Sequence, residues 1–320
     1  MMSINTNLKS IVKSGILGLC VADAIGVPVE FMSRDEILLH PVTDMIGYGT
    51  FNLPPGSWSD DTSLTLCLID SLSNGLDYKD IMKKFLSWYC EAEYTPHGIT
   101  FDIGRTCMKS ILRFSKGTAP IKCGGTNVND NGNGSLMRIL PIAFYLHSTY
   151  GRNYCDYDEA YEIIHNISAL THAHIRSKIA CGIYISIAGE LINRQNIENG
   201  VYKGISFAKS HYNSKDSYSV ELKYYNRLFD DGFNNIPMEE IKSSGYVVDT
   251  LEAALWCLLN TDNYRQCVLK AVNLGDDTDT VAAVAGGLAG LFYGLDSIPQ
   301  EWINQIARID YILDLCDSFI

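Results

Sequence analysis

The stretch Asp276-Asp277-Thr278-Asp279-Thr280 runs directly into Val281-Ala282-Ala283-Val284-Ala285-Gly286-Gly287-Leu288, so a cluster of acids stands at the mouth of an apolar segment. Asp277 and Asp279 are two residues apart, about 200° around a helix, and cannot both point the same way from regular helix. They belong on the turn where loop becomes helix, with Thr280 adding a hydroxyl from the first turn. A second stretch repeats the arrangement far away in the chain. Ser59-Asp60-Asp61-Thr62 opens onto Leu64-Thr65-Leu66-Cys67-Leu68-Ile69. Ser59 suits an N-cap, and Leu64, Leu68 and Leu72 form a stripe that stops at Asn74-Gly75.

Outward from these two turns the hydrophobic period is helical almost everywhere. Ile11, Gly15, Leu19 and Ala22 share one face of a first helix that ends near Gly26-Val27-Pro28. Residues 32–58 read as irregular. Asp77 opens a helix with Ile81, Phe85 and Trp88 inward, and Phe101-Asp102-Ile103-Gly104 leads another with Ile103, Cys107 and Ile111 aligned. The Gly/Asn-rich run from Gly124 to Ser135 is loop, feeding Leu136 to Leu140, and Pro141 is expected to break or kink the helix that follows. Asp156 with Glu159 resembles a capping box before a helix, and Ile175, Ile179, Ile183 and Ile187 mark a long amphipathic one. Residues 196–245 signal helix weakly. Pro299 is expected to begin a terminal helix with Ile303, Ile306 and Leu313 inward. No strand alternation or linker stands out, which predicts a single compact all-α domain over residues 1–320.

Bulk properties narrow the function. Of the 320 residues 47% are hydrophobic and 19% charged, enough for a sizeable core. A net charge of −12 without any basic stripe argues against nucleic-acid binding. The ten cysteines are scattered without CxxC or Cys/His spacing, as expected of reduced, buried thiols in a cytoplasmic protein. Lys9 and Lys13 followed by Gly15 to Ala22 imitate a signal peptide, but the apolar run is short and continues into Gly26-Val27-Pro28-Val29-Glu30. No apolar run is read as reaching the roughly 18 residues of a membrane span. A soluble cytoplasmic protein, monomeric by default, is the expectation.

An Asp at a helix N-terminus is favoured by about 0.3–1 kcal/mol through the dipole, so one such turn is explained as a cap. Two turns packed into one core bring Asp60, Asp61, Asp277 and Asp279 together, and desolvated carboxylates cost several kcal/mol each unless compensated. Neither stretch contains Lys or Arg. Carboxylates and hydroxyls are hard oxygen donors suited to Mg²⁺, Mn²⁺ or Ca²⁺ rather than Zn²⁺. With Glu30 as a fifth carboxylate, the charge favours two divalent ions over one. The Gly124–Gly134 loop, running into a helix start at Ser135, offers amides for phosphate, although such a loop is also an ordinary surface turn. His172 and His174 are structural residues or substrate contacts, and Asp102 is a candidate N-cap.

Taken in order, Gly18 to Phe31, Trp58-Ser59-Asp60-Asp61-Thr62, Phe101 to Gly104, Gly132 to Arg138, Thr171-His172 and Gly275 to Thr280 resemble the ADP-ribosylglycohydrolase family. The resemblance implies a compact, orthogonally packed all-α fold with a binuclear Mg²⁺ or Mn²⁺ centre that hydrolyses the bond between ADP-ribose and a modified group. It implies Ser59, Asp60, Asp61, Asp277, Asp279 and Thr280 as metal ligands and Glu30 as an acid near them. Gly132, Asn133, Gly134, Ser135 and Met137 would hold the phosphates and ribose, His172 would touch ribose or phosphate, and Asp102 and Tyr246 would border the scissile bond. Many relatives have Thr where this chain has Ser59, and both supply a hydroxyl. The partner implied is an ADP-ribosylated protein, modified on arginine, or a small ADP-ribose conjugate. Serine-linked ADP-ribose, O-acetyl-ADP-ribose and a non-catalytic, immunity-type binder are the alternatives. Glu30, Asp60, Asp61 and Asp102 all remain open as the group that moves the proton.

Overall fold

A computed structural model describes residues 2–193 and 196–319. Among them it contains helices and turns but no strand, with only two isolated bridges, Gly125 to His172 and Gly132 to Tyr246.

The axis of the fold is a pair of antiparallel helices, Met2–Gly26 and Thr278–Tyr293. Small residues let their backbones touch: a Cβ on Gly18 would lie 2.5 Å from the Gly286 carbonyl oxygen. At the far end a Cβ on Gly26 would lie 2.3 Å from Asp279 Cα, and Thr278 donates to the Gly26 carbonyl at 2.8 Å. The C-terminus of one helix, and the Val27–Glu30 turn after it, is thereby placed beside the acidic N-terminus of the other. Leu8–Val29 is, against the sequence expectation, long and apolar enough to cross a membrane, and 83% of its most apolar window is buried inside the fold.

The remaining helices surround this pair and share one continuous core. Asp60–Leu72 starts at Ser59 as expected, and Tyr78–Glu91 starts at Asp77, burying Ile81, Phe85 and Trp88. Ile175–Ile192 is buried almost all round rather than amphipathic, because other elements cover both sides; Tyr184 reaches across to donate to the Val284 carbonyl. Eight of the ten free cysteines are buried, while Cys90 is exposed and Cys155 half-buried.

Several local expectations fail for identifiable reasons. Residues 32–58 include a short helix, Arg34–Leu39, opened by a Ser33–Glu36 capping box. Ile103 precedes the Arg105–Ser115 helix instead of lying within it. Pro141 neither breaks nor kinks a helix: it occupies the first position of Pro141–Tyr150, where its missing N–H costs nothing. Asp158–Ala169 begins one residue later than the Asp156–Glu159 pair implied and has no side-chain cap. Ile197–Asn213 is a full helix whose start is capped by Asn196. The terminal segment is two helices, Gln300–Ile303 and Ile309–Ser318, separated at Arg308, whose φ of 50° is left-handed; Ile312 and Cys316 are the buried residues of the second, and Leu313 is only partly buried.

Candidate functional site

Both acidic turns arrive at one place. Ser59 caps its helix by accepting from the Asp61 amide at 3.3 Å and donates to Asp61 Oδ2 at 3.0 Å. Thr280, from the other helix, donates to the same oxygen at 3.3 Å. Carboxylate oxygens of Asp23, Asp61 and Asp279 lie within 4.8 Å of one another, as do those of Glu30, Asp102 and Asp279. Asp279 belongs to both groups and sits between them. Asp277 is held from the loop side by Asn133, which donates to its Oδ2 at 2.9 Å.

The electrostatics of this arrangement are unfavourable without a counter-charge. Burial, reinforced by neighbouring carboxylates, raises the Asp60, Asp61 and Asp279 carboxyls well above the ordinary range. Burial raises Asp277 as well, opposed by bonds from Asn133 and Thr280. Glu30 is pushed up to about 10 by burial and then by Asp102 and Asp277, and Asp102 to about 7. Asp23 rises to about 6 through burial, opposed by the bonds it accepts from Thr62 and Ser59. Four buried oxygens, Glu30 Oε2, Asp61 Oδ1, Asp277 Oδ1 and Asp279 Oδ2, have no hydrogen-bond donor. Unpartnered buried carboxylate oxygens with no thiol or imidazole among the clustered groups fit hard divalent cations.

These groups border a cleft of about 250 Å³. Of the residues singled out in the sequence, Glu30, Asp60, Asp102, Gly132, Asn133, Gly134, Met137, His172, Asp277 and Thr280 line it. Ser59, Asp61 and Asp279 connect to that lining from behind. Ser135 does not join them: its hydroxyl is buried, 3.0 Å from the Ser168 hydroxyl that donates to it and 3.5 Å from Cys181 Sγ. No helix starts there either, since the chain runs in turns from Gly134 to Arg138, so helix-dipole support for a phosphate at Ser135 is absent. Tyr246 lies beside the loop through its pairing with Gly132, while its phenol oxygen accepts from Arg176 at 3.0 Å.

The Gly/Asn loop is pinned at both ends. Gly125 donates to the Thr171 carbonyl at 2.9 Å, and Asn133 donates to the Gly245 carbonyl at 3.1 Å. Gly134 is packed so closely that a Cβ would lie 2.7 Å from Cys107 Sγ and 2.9 Å from the His172 ring. His172 therefore faces the loop. Burial and nearby Arg138 lower its pKa to about 3, leaving a neutral ring whose Nδ1 is 2.9 Å from the Thr171 hydroxyl. His174 has the structural role: its Nδ1 accepts the Arg176 amide at 3.2 Å and caps Ile175–Ile192.

Asp23 was missed in the sequence as a site residue. It accepts the amides of Ser59 and Thr62 and the Thr62 hydroxyl, which locks the first acidic turn to the first helix. An acid isolated in the apolar run from Leu19 to Ile25 was the available signal. Gly104, Arg105, Thr106, Cys107, Asn129 and Gly245 also line the cleft without having been expected there.

An all-helical protein with a buried carboxylate cluster at the base of a cleft is the class that fold and site define. The ADP-ribosylglycohydrolase family model matches residues 5–320, and the chain belongs to that family. It is 35% identical over 309 residues to an ADP-ribosylarginine hydrolase Tri1 of Serratia proteamaculans, covering 96% of this chain and 78% of the relative. It is 32% identical to an ADP-ribosyl-[dinitrogen reductase] glycohydrolase of Rhodospirillum rubrum, covering 91% and 88%. A solved structure described as an ADP-ribosylglycohydrolase-related protein complex superposes with a TM-score of 0.78 at 28% identity, covering 98% of each chain.

Proposed function

We propose that the protein hydrolyses the N-glycosidic bond between ADP-ribose and arginine of a modified protein, using two divalent cations, Mg²⁺ or Mn²⁺. The observation that carries this reading is the set of four donorless carboxylate oxygens gathered around Asp279 beside the cleft. Ser59, Asp60, Asp61, Asp277, Asp279 and Thr280 would hold the ions, with Asp23 orienting the Ser59–Thr62 turn from behind. When bound, such ions supply charge neutralisation for this cluster and electrophilic assistance to oxygens of substrate or water. The names of the relatives support the arginine linkage.

The chain's own groups divide the remaining tasks. Asn133 fixes the orientation of Asp277, and Gly132, Gly134 and Met137 shape a wall close enough for main-chain contact with ribose and phosphates. Neutral His172 offers a hydrogen bond without adding charge. Asp61 stands behind the cleft lining, so proton transfer falls to carboxylates on the open wall: Glu30, Asp60 and Asp102. A protonated carboxyl there can give its proton to the departing guanidine nitrogen while an ionised neighbour takes one from the attacking water.

The test is release of ADP-ribose from an arginine-modified protein in Mg²⁺ or Mn²⁺, compared with chelator and with Asp279→Ala. Loss of release in both comparisons is expected. Turnover that survives chelator and substitution alike would refute the metal-assisted reading.

A further inference from the structure

Each of the two open-wall acids that share a cluster with Asp279 is flanked in the chain by a phenylalanine: Phe31 follows Glu30, and Phe101 precedes Asp102. Phe51 joins them, with ring centroids 6.3 Å from Phe31 and 5.0 Å from Phe101. The three rings form one row beside the acid pair. Phe31 is 67% exposed, so it is not there to fill the core. Its φ is +68°, a left-handed backbone that a bulky residue adopts only when its surroundings impose it.

Those surroundings are visible. The Phe31 amide donates to the Asp276 carbonyl at 2.7 Å, tying it to the second acidic turn. The loop that carries Phe51 is fastened to the same segment, since the Thr50 hydroxyl donates to the Glu30 carbonyl at 2.7 Å and its amide to the Pro28 carbonyl at 2.9 Å. Gly49 approaches so closely that a Cβ would fall 1.7 Å from the Pro28 oxygen. A strained, exposed aromatic is thus held rigidly next to a carboxylate of the cleft.

Resting on the hydrolase reading above, we propose that the Phe31–Phe51–Phe101 row is the specificity element for the arginine side of the substrate, with Phe31 stacking on the modified guanidinium. A planar guanidinium stacks on aromatic faces and pairs with carboxylates. An aromatic face beside Glu30 and Asp102, on a chain of net charge −12, suits a cation better than a neutral base or alcohol.

The experiment compares wild type, Phe31→Ala and Phe31→Trp on ADP-ribosylarginine, with inhibition by free ADP-ribose as the control. Phe31→Ala should lower kcat/KM about tenfold, Phe31→Trp should restore most of it, and the ADP-ribose inhibition constant should not change. An unchanged kcat/KM in Phe31→Ala overturns the proposal, and so does an equal loss of ADP-ribose affinity, which would make the ring scaffolding only. A wild type without turnover overturns the hydrolase reading alone; the ratio of affinities for ADP-ribosylarginine and ADP-ribose, read by calorimetry on the same variants, then decides the role of Phe31.

Discussion

Gly26 and Asp279 are in backbone contact: a Cβ at position 26 would stand 2.3 Å from Asp279 Cα and 2.5 Å from its nitrogen. Nothing flexible lies between them, so Gly26→Ala must push the first helix away from the acidic turn of the second. Overpacking of this kind costs about 1–3 kcal/mol. Because the displaced element carries Asp279, cation response should suffer beyond the loss of stability. Thermal melts with and without Mn²⁺ check this, and the expected result is a lowered Tm with a diminished Mn²⁺-induced rise.

Asp279→Asn separates charge from packing. Asp279 is buried, has one oxygen without a donor, and shares both carboxylate clusters. In chelator the substitution removes a like charge from a crowded site and should raise Tm by a few degrees, on the order of 1 kcal/mol. In Mn²⁺ the order should reverse, since only the wild type gains ligand-linked stability. A variant less stable than wild type in chelator would show that Asp279 is held by interactions other than a cation.

The pH dependence has a defined sign. Asp23 and Asp102 are raised by burial to about 6 and about 7, above the ordinary value of 3.8 that they have when unfolded. The folded, cation-free protein therefore binds more protons than the unfolded chain between about pH 4 and 7. Stability from these groups is present below pH 4 and is lost as pH rises through 6 to 7. Urea titrations in chelator should show it falling across that window. Cation binding at pH 6 should release protons, seen in calorimetry as a heat that depends on the buffer.

What the sequence disclosed follows from chemistry that is local. Ser59 as a cap and Asp277–Asp279 on a loop-to-helix turn depend on neighbours within a few residues, and both stand as read. Ser135 shows where this ends. Its glycine-rich surroundings suggested amides for phosphate at a helix start, and the family resemblance implied a substrate contact, but the direction of the side chain is decided by Ser168 and Cys181, distant in the chain. Pro141 was ambiguous for a related reason: a proline that stops one helix and a proline that starts another look alike until the preceding turns are known.

Asp23 illustrates the converse, a residue whose role exists only in three dimensions. Its two oxygens accept from Ser59 N at 3.0 and 3.1 Å, and Oδ2 also accepts from Thr62 N at 3.1 Å and from the Thr62 hydroxyl. All of these partners are donors. Asp23→Asn replaces one accepting oxygen by an NH₂ group that must face a donor, leaving buried polar atoms unsatisfied at a cost of about 1–3 kcal/mol. The same change also removes a carboxylate from the Asp23–Asp61–Asp279 group, which relieves repulsion in the absence of cations. The two effects oppose each other in chelator but act together in Mn²⁺, where a misplaced Ser59–Thr62 turn and a missing charge both weaken binding. Asp23→Asn should therefore melt within a few degrees of wild type in chelator while losing about 10–100-fold in Mn²⁺ affinity, as residues that orient metal ligands commonly do. Calorimetric titration with Mn²⁺ measures the second quantity directly, and an affinity equal to wild type would remove Asp23 from the site.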